Sequence, residues 1–402
     1  MPDLPRAQLR SAAYHPFIYR KMIGRVDSSA HPGDLVAVYD PRGELFGYGL
    51  YNPRSQIALR MLSFERQPPD EAWWQGKLEH AVRLRRELLG LDAVTDAYRV
   101  VHAEGDGLSG LVVDRFGDTL SVEVFSLGVY QRLEHLLPAL ARLCGTRDHL
   151  VQVDARAAEL EGIKLRIPHS APSSSRHVEI REHGVRFRVY FEAGHKTGFF
   201  CDQRENRRRL AELCQGKRVL DLCCYTGGFG LYAKVLGGAA EVTGVDLDEK
   251  AIAVARENAN LNQARLSLVH ADVFPWMRDA VANGWQFEVV VLDPPKLIAS
   301  RREIESGKRK YFDLNRLALG LVRPGGLFVT CSCSGLLSAD EFVGLVRAAG
   351  RRLAAPEGAL GSPPSALRPI QLLWQTGSGP DHPVALDCPE TSYLKVLWLR
   401  VG

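Results

Sequence analysis

The chain has 402 residues, of which 46% are hydrophobic and 24% charged, and its formal net charge is +4. This length is greater than one ordinary hydrophobic core organises, so we expect two or three domains in a globular protein without low-complexity tracts. The small positive charge permits a polyanionic partner but does not require one. No apolar signal-peptide core and no run of about 18 apolar residues occurs, which predicts a soluble protein.

Eight cysteines are spread along the chain, and none belongs to a C-x-x-C pair. That spacing disfavours a structural zinc site, and the scatter over so long a chain disfavours a disulfide framework. We therefore expect no bound metal and a reducing compartment, the cytoplasm.

Residues 1–70 are predicted to form a small β-rich module. Three short apolar runs, residues 35–39, 45–50 and 57–62, are separated by proline and glycine turn signals. Lys and Arg outnumber Asp and Glu in this stretch, and the Pro-Pro pair at 68–69 predicts a linker after it.

Residues 71–190 are predicted to form an α+β central domain. Apolar residues at helical spacing over 73–89 end at Gly90, which predicts a helix. Strand patterns follow on either side of a Gly-Asp turn at 117–118. Glu182-His183-Gly184 then predicts a hairpin turn.

The remaining residues, 191–402, predict a doubly wound, mostly parallel α/β sheet of Rossmann-like type, because strand and helix patterns alternate from about residue 216. The predicted strands cover residues 218–222, 241–245, 267–269, 287–292 and 327–331. The last two apolar runs, residues 370–374 and 393–401, predict an antiparallel hairpin at the sheet edge.

Acidic residues follow the first three predicted strands of this sheet. Ligands of doubly wound sheets bind beyond the carboxyl ends of the strands, so Asp221, Asp246 and Asp272 are expected to meet at one site. A carboxylate at the second strand end accepts ribose hydroxyl hydrogens, and one at the third can accept from an adenine amino group. The pair Gly227-Gly228 lets the backbone approach a ligand closely.

Two ligand classes share this arrangement. A dinucleotide needs a G-x-G-x-x-G turn to seat its pyrophosphate on a helix N-terminus, and Gly227-Gly228-Phe229-Gly230 does not match that turn. S-adenosylmethionine has no phosphate, and its ammonium and sulfonium groups favour a carboxylate such as Asp221. The sequence therefore predicts S-adenosylmethionine as the cofactor.

The fifth predicted strand ends in Thr330-Cys331-Ser332-Cys333, and the fourth ends at an Asp293-Pro294-Pro295-Lys296 turn. A thiolate that adds to C6 of cytosine pushes electron density onto C5, which can then attack a methyl–sulfonium group. Cys333 is closer to the turn and is the predicted nucleophile, whereas Cys331 is expected in the core. Asp293 is the candidate acid near N3 of the base.

Five motifs together resemble bacterial 23S rRNA (cytosine-C5) methyltransferases, and the resemblance extends over nearly the whole chain. They are HPFIY at 15–19, EGDGLSGLVVDR at 104–115, KTGFFCDQRENR at 196–207, DPPK at 293–296 and SCSG at 332–335. The resemblance implies an N-terminal PUA module that binds RNA, S-adenosylmethionine as methyl donor, an rRNA cytosine as substrate and Cys333 as nucleophile. Many RNA cytosine-C5 enzymes carry a second cysteine where this chain has Lys296.

Two sets of binding residues follow from these motifs. The candidate cofactor residues are Phe200, Asp202, Gln203, Arg204, Asp221, Tyr225, Thr226, Gly227, Asp246, Asp272 and Asp293. The candidate RNA-binding residues are Lys296, Arg301, Arg302, Lys308, Arg309 and Lys310, in a basic stretch that can track phosphates. Behind them, Tyr311 and Phe312 either stack on a flipped base or pack in the core.

Three alternative functions stay open at this point. A methyltransferase acting on an amino group or ring nitrogen also uses an Asp-Pro-Pro turn, although usually with an aromatic residue where this chain has Lys296. A dinucleotide oxidoreductase is disfavoured by the missing phosphate turn. A non-catalytic RNA-binding assembly factor would retain the pocket without transferring a methyl group.

Overall fold

The computed structural model describes residues 4–164, 177–191, 198–351 and 368–402. Contacts within the chain group it into two compact units. The first comprises Met1–Glu182, Val189–Cys201 and Pro380–Thr391, and the second comprises His183–Arg188, Asp202–Gly379 and Ser392–Gly402. The division into three domains, residues 1–70, 71–190 and 191–402, stays a prediction.

The first unit begins with a six-stranded sheet. Its strands are β1 (Arg6–Leu9), β2 (Phe17–Tyr19), β3 (Ile23–Val26), β4 (Leu35–Tyr39), β5 (Leu45–Tyr51) and β6 (Ile57–Ser63), in the order β2-β6-β5-β4-β1-β3. Neighbouring strands are antiparallel except β1 and β4, which are parallel. Alternate residues such as Val36 and Val38 are buried in one core, so the predicted β-rich module is confirmed.

The rest of the first unit is α+β, as predicted. A four-stranded sheet has the order β10-β9-β8-β7, formed by β7 (Ala97–His102), β8 (Leu111–Phe116), β9 (Thr119–Val124) and β10 (Asp148–Gln152). Its helices are α1 (Glu71–Arg83), α2 (Leu127–Tyr130), α3 (Leu133–Cys144) and α4 (Ala155–Glu161).

Helix α1 begins where the Asp70 side chain accepts a hydrogen bond from the Trp73 amide, at 2.8 Å. It ends earlier than the predicted residue 89, because a wider π-type turn over Leu84–Leu88 follows Arg83. Inside that turn the fully buried Arg85 pairs with Asp106 through two hydrogen bonds. The longer helix predicted from apolar spacing is therefore interrupted at a buried ion pair.

A hairpin of β11 (His177–Glu182) and β12 (Val185–Tyr190) follows. Its turn residues His183 and Gly184 have φ values of 49° and 86°, the left-handed conformation of a two-residue hairpin turn. The predicted hairpin turn is confirmed.

A segment close to the end of the chain, Pro380–Thr391, packs within the first unit. The carbonyl oxygen of Asp381 accepts a hydrogen bond from Arg85 at 2.6 Å, and its carboxylate accepts one from the Arg99 amide at 3.0 Å. No local pattern in the sequence indicated this placement, since the segment lies between two strands of the C-terminal sheet.

The second unit contains the predicted doubly wound sheet. Its strands are β13 (Arg218–Leu222), β14 (Glu241–Asp246), β15 (Ser267–His270), β16 (Phe287–Leu292), β17 (Val322–Ser332), β18 (Ile370–Thr376) and β19 (Lys395–Val401), in the order β15-β14-β13-β16-β17-β19-β18. The first five in that order are parallel, and β19 is antiparallel to both β17 and β18. The predicted sheet and its antiparallel edge hairpin are confirmed.

Helices connect these strands and cover both faces of the sheet. They are α5 (Arg204–Ala211), α6 (Gly228–Val235), α7 (Glu249–Leu261), α8 (Val273–Ala282), α9 (Ile304–Gly320) and α10 (Ala339–Arg351). Val290 and Phe328 are buried in the core on one face, and Val289 and Val329 in the core on the other. The strand order reverses between β13 and β16, which is where ligands of such sheets bind.

Across the described part of the chain, no helix combines the length and apolarity needed to span a bilayer.

Candidate active site

The turn after β13 has an unusual backbone. Cys223 and Tyr225 have φ values of 59° and 50°, and Gly227 has 85°. Left-handed conformations at non-glycine residues are uncommon and concentrate at functional sites. Asp246, at the end of β14, accepts a hydrogen bond from the Tyr225 amide at 2.8 Å and so ties this turn to the neighbouring strand.

Asp221 lies buried beneath this turn. Its Oδ2 accepts a hydrogen bond from the Gly230 amide at 2.9 Å, at the start of α6, whereas Oδ1 is buried and has no hydrogen-bond partner. Burial, together with the nearby charges of Asp293 and Asp246, raises the pKa of Asp221 to about 8. A buried carboxylate oxygen without a partner fits the ammonium group of S-adenosylmethionine.

The other two predicted strand-end acids have structural partners. Asp246 accepts hydrogen bonds from the Tyr225 and Asp248 amides, one at each oxygen. Asp272 is exposed and caps α8, because its side chain accepts from the Phe274 amide at 2.8 Å. Each oxygen still has a second lone pair, so the ligand roles of Asp246 and Asp272 stay predictions.

The residues at the start of α5 are buried, although an arginine-rich stretch often forms a solvated face. Arg204 is fully buried, and Gln203 donates a hydrogen bond to Asp293 at 3.0 Å. Asp202 accepts from the Tyr393 hydroxyl at 2.6 Å, and its Oδ1 has no hydrogen-bond partner. Sequence reasoning missed Tyr393, which lies 191 positions away from Asp202.

Not all of the predicted cofactor residues belong to one unit. Asp202, Gln203 and Arg204 lie with the turn residues Tyr225, Thr226 and Gly227 in the second unit. Phe200 is grouped with the first unit. Of the motif at 196–207, Lys196 and Thr197 lie outside the described residues.

Asp293 follows β16, and its side chain is embedded among other polar groups. Burial and the charge of Asp202 together raise the pKa of Asp293 to about 7, although the hydrogen bond from Gln203 acts in the opposite direction. This carboxyl group is therefore able to hold and release a proton near neutral pH.

The two cysteines of the fifth strand differ in environment. Cys331 is fully buried in the core and hydrogen-bonded to Asp293, whereas Cys333 lies just beyond the end of β17 and is only half-buried. Burial and the charge of Asp293 raise the pKa of Cys331 well above its ordinary value. Cys331 therefore stays a neutral thiol, and its predicted core position is confirmed.

A hydrogen-bond network holds the residues on both sides of Cys333. The Ser332 hydroxyl donates to the Tyr311 hydroxyl at 3.0 Å, and the Tyr311 and Ser334 hydroxyls are 2.9 Å apart. The Ile298 amide donates to Ser334 at 3.2 Å, which links the loop after Asp293 to the same turn. Tyr311 is fully buried, so of its two predicted roles the structure shows core packing rather than base stacking.

The predicted RNA-binding residues follow Asp293 in the second unit. Lys296, Arg301, Arg302, Arg309 and Lys310 are exposed. Lys308 is half-buried and forms an ion pair with Glu341 at 2.8 Å. These positions suit contact with phosphates, and their RNA-binding role stays a prediction.

Among the described residues, one cluster of potential metal ligands occurs, in the first unit, although the cysteine spacing predicted none. The ligand atoms of His15, Cys388 and Glu390 lie within 4.8 Å of one another. His15 Nδ1 accepts a hydrogen bond from the Phe17 amide at 3.0 Å, which leaves the proton on Nε2, 3.2 Å from the Glu390 carboxylate. That nitrogen is a hydrogen-bond donor and has no lone pair for a metal ion.

Comparison with known proteins agrees with this geometry. Residues 132–352 match a family model described as S-adenosylmethionine-dependent methyltransferase, and residues 5–64 match a PUA-like domain. Curated proteins called ribosomal RNA large subunit methyltransferase I are 36% identical in Aliivibrio fischeri and 37% identical in Aeromonas hydrophila. Each alignment covers 96% of this chain and 95% of the relative. The chain belongs to the ribosomal RNA large subunit methyltransferase I family.

Two solved structures share the fold of this chain over nearly all of its length. A putative methyltransferase, SMU.776, complexed with SAH has a TM-score of 0.79, with 20% identity and 100% of both chains covered. A putative methyltransferase from Streptococcus mutans also has a TM-score of 0.79, at 18% identity. The family models and the curated relatives confirm the predicted PUA-like module and the dependence on S-adenosylmethionine, and the solved structures confirm the fold.

Proposed function

We propose that this methyltransferase forms 5-methylcytidine in 23S rRNA of the bacterial cytoplasm, through a covalent bond between Cys333 and C6 of the base. The observation that carries the proposal is the contrast between the two cysteines. Cys333 is half-buried beyond the strand end, whereas Cys331 is a fully buried thiol with a raised pKa. Of these two cysteines, only Cys333 has the accessibility that a nucleophile needs.

The proposed reaction begins with addition of the Cys333 thiolate to C6, which breaks the C5–C6 double bond and moves electrons towards N3. Asp293, whose pKa burial raises to about 7, donates a proton to N3 at that stage. When bound, S-adenosylmethionine supplies the methyl group that C5 takes up. A base then removes the C5 proton, the re-formed double bond expels the Cys333 thiolate, and N3 returns its proton to Asp293.

RNA as the substrate is supported by the names of the relatives and by the PUA-like module. The exposed basic residues after Asp293, Lys296 to Lys310, lie in the same unit as the proposed nucleophile. Such residues fix the register of a nucleic acid through its phosphates, while the base is recognised in the pocket.

The proposal is tested with rRNA that contains 5-fluorocytidine, because fluorine at C5 cannot leave as a proton and the covalent adduct accumulates. We expect mass spectrometry to show one adduct, on Cys333, in the wild type and in the matched variant Cys331→Ala. Cys333→Ala should give no adduct and lose at least about a thousandfold in methylation rate, since the covalent step is removed.

Two results would contradict the proposal in different ways. Methylation of ordinary rRNA without any adduct on the fluorinated RNA would favour transfer to an amino group or ring nitrogen. Tight RNA binding with no methyl transfer to any nucleotide would instead favour a non-catalytic assembly factor.

A further inference from the structure

A buried lysine that the proposed function does not use lies directly behind the Cys333 turn. Lys395 begins β19 and is the antiparallel partner of Ser332, the last residue of β17. Its side chain is buried, and Nζ donates hydrogen bonds to the carbonyl oxygens of Ser334 and Leu337, at 2.7 and 2.8 Å. These two carbonyl groups belong to the turn that immediately follows Cys333.

Burying an ammonium group in this position costs folding free energy, unless a negative group nearby compensates for its charge. Two of its three N–H groups donate hydrogen bonds to carbonyl oxygens, and the third N–H group takes part in neither of these two bonds. A buried charge that only tied two carbonyl groups together could be replaced by a neutral side chain at lower cost.

The charged groups around Lys395 indicate which anion interacts with its ammonium group. Burial, opposed by the Cys333 thiolate and assisted by the Lys296 ammonium, lowers the pKa of Lys395 to about 8. Tyr311 and Cys331, which also adjoin this turn, stay neutral because burial raises the pKa of each. The Cys333 sulfur is therefore the negative group that can balance the Lys395 charge.

We propose that Lys395 is a positioning residue for Cys333, which fixes the turn through Ser334 and Leu337 and stabilises the Cys333 thiolate by its positive charge. The inference deepens the proposed function, because it rests on Cys333 as the nucleophile. A cation beside a cysteine favours the thiolate, which is the form that attacks C6. Lys395 transfers no proton and touches no reacting atom of the base in this account.

The test measures the rate at which iodoacetamide alkylates Cys333 as a function of pH, in the full-length protein without RNA, with peptide mass spectrometry to isolate this cysteine. In Lys395→Met we expect the midpoint of the profile to move up by about one pH unit, because the neutral side chain no longer favours the thiolate. Lys395→Arg, which keeps the charge, should restore most of the wild-type profile.

A matched control is available in the same unit. Lys234 is half-buried and also donates to two carbonyl oxygens, those of Ala239 and Ala240, at 2.9 and 2.8 Å. Lys234→Met therefore removes the same kind of contact away from Cys333, and it should leave the alkylation profile unchanged. A shift of the same size in this control would assign the effect to lost stability and contradict the proposal.

Two further outcomes would overturn it. An unchanged midpoint in Lys395→Met, or in Lys395→Gln if the methionine variant does not fold, would show that the charge does not act on the thiol. A midpoint in Lys395→Arg as high as in Lys395→Met would do so as well, because a retained positive charge would then fail to favour the thiolate. The alkylation assay is independent of methyl transfer, so a shifted profile without an adduct on fluorinated RNA would refute the proposed function alone.

Discussion

At the scale of single residues, burial sets the protonation of the acids in the site. Asp221 has a pKa of about 8 in the folded protein, against an ordinary value of 3.8. Between these values the folded state holds a proton that the unfolded state has released, so the stability of the cofactor-free protein falls as pH rises from about 4 to about 8. A bound cation should reverse this preference and expel the proton.

This reasoning predicts two opposite effects of Asp221→Asn. At pH 8 and above the cofactor-free variant should melt at a higher temperature than the wild type, because no buried carboxylate has to ionise. Its affinity for S-adenosylmethionine should fall by roughly ten- to a hundredfold. A hydrogen bond to a charged group contributes about 1.5–3 kcal/mol, and losing it reduces the affinity by that factor. Scanning calorimetry and titration calorimetry measure the two effects.

The control for this prediction is Asp279→Asn, which removes an exposed carboxylate from α8. It should change neither the melting temperature nor the cofactor affinity. If Asp221→Asn binds S-adenosylmethionine as tightly as the wild type, the unpartnered Oδ1 is not the ligand of the ammonium group.

At the scale of elements, the Tyr311 hydroxyl of α9 supports the end of β17 and the turn that follows it. The Tyr311 hydroxyl joins Ser332 and Ser334, the neighbours of Cys333 on either side. Tyr311→Phe should destabilise the protein by about 1–2 kcal/mol, because two buried serine hydroxyls each lose a partner. We also expect slower methylation with unchanged affinity for S-adenosylmethionine, measured by initial rates and titration calorimetry.

Tyr98→Phe is the matched variant for this element. Tyr98 is also buried, and its hydroxyl joins Asp92 and Arg115 in the first unit, at 2.9 and 3.2 Å. It should show a similar loss of stability with a normal methylation rate. Equal rates for Tyr311→Phe and Tyr98→Phe, at equal folded fractions, would mean that α9 stabilises the sheet without orienting the nucleophile.

At the scale of the whole molecule, the chain crosses between its two units more than once. Pro380–Thr391 packs in the first unit, whereas the residues before and after it belong to the second. The N-terminal module is joined to the rest of the first unit by buried polar contacts, such as Asn52 to the Glu161 carbonyl at 2.9 Å and Arg60 to the Phe125 carbonyl at 3.1 Å. No single cut therefore separates the units cleanly.

We predict that removing residues 1–66 of the N-terminal module weakens rRNA binding by at least about tenfold, since the phosphate contacts expected of an RNA-binding module are lost. Affinity for S-adenosylmethionine should stay intact, because most predicted cofactor residues lie in the second unit. Filter binding and titration calorimetry on the folded truncation measure the two affinities.

Arg60→Met is the control, because it removes the contacts to Glu104 and the Phe125 carbonyl while the module stays in place. It should lower the melting temperature and leave RNA affinity nearly unchanged. Loss of cofactor binding in a folded truncation would contradict the independence of the module and the division into three domains.

Local patterns in the sequence were sufficient for the N-terminal β-rich module, the doubly wound sheet and the cofactor class. Alternating strand and helix patterns predicted the parallel sheet, and strand ends located Asp221, Asp246 and Asp293. This worked because side-chain periodicity and strand termination depend on neighbouring residues only, and because the carboxyl ends of parallel strands meet at one edge. The turn that directly follows Cys333 likewise predicted that Cys331 is the buried one of the two cysteines.

The tertiary structure alone decided which distant residues support the site. Lys395 reaches the Ser334 carbonyl across 61 positions, Tyr393 reaches Asp202 across 191, and Asp381 reaches Arg85 across 296. These contacts depend on the antiparallel register of β19 on β17 and on the path of the segment between β18 and β19. Neither is encoded in local periodicity, because each follows from the packing of elements that are far apart in the chain.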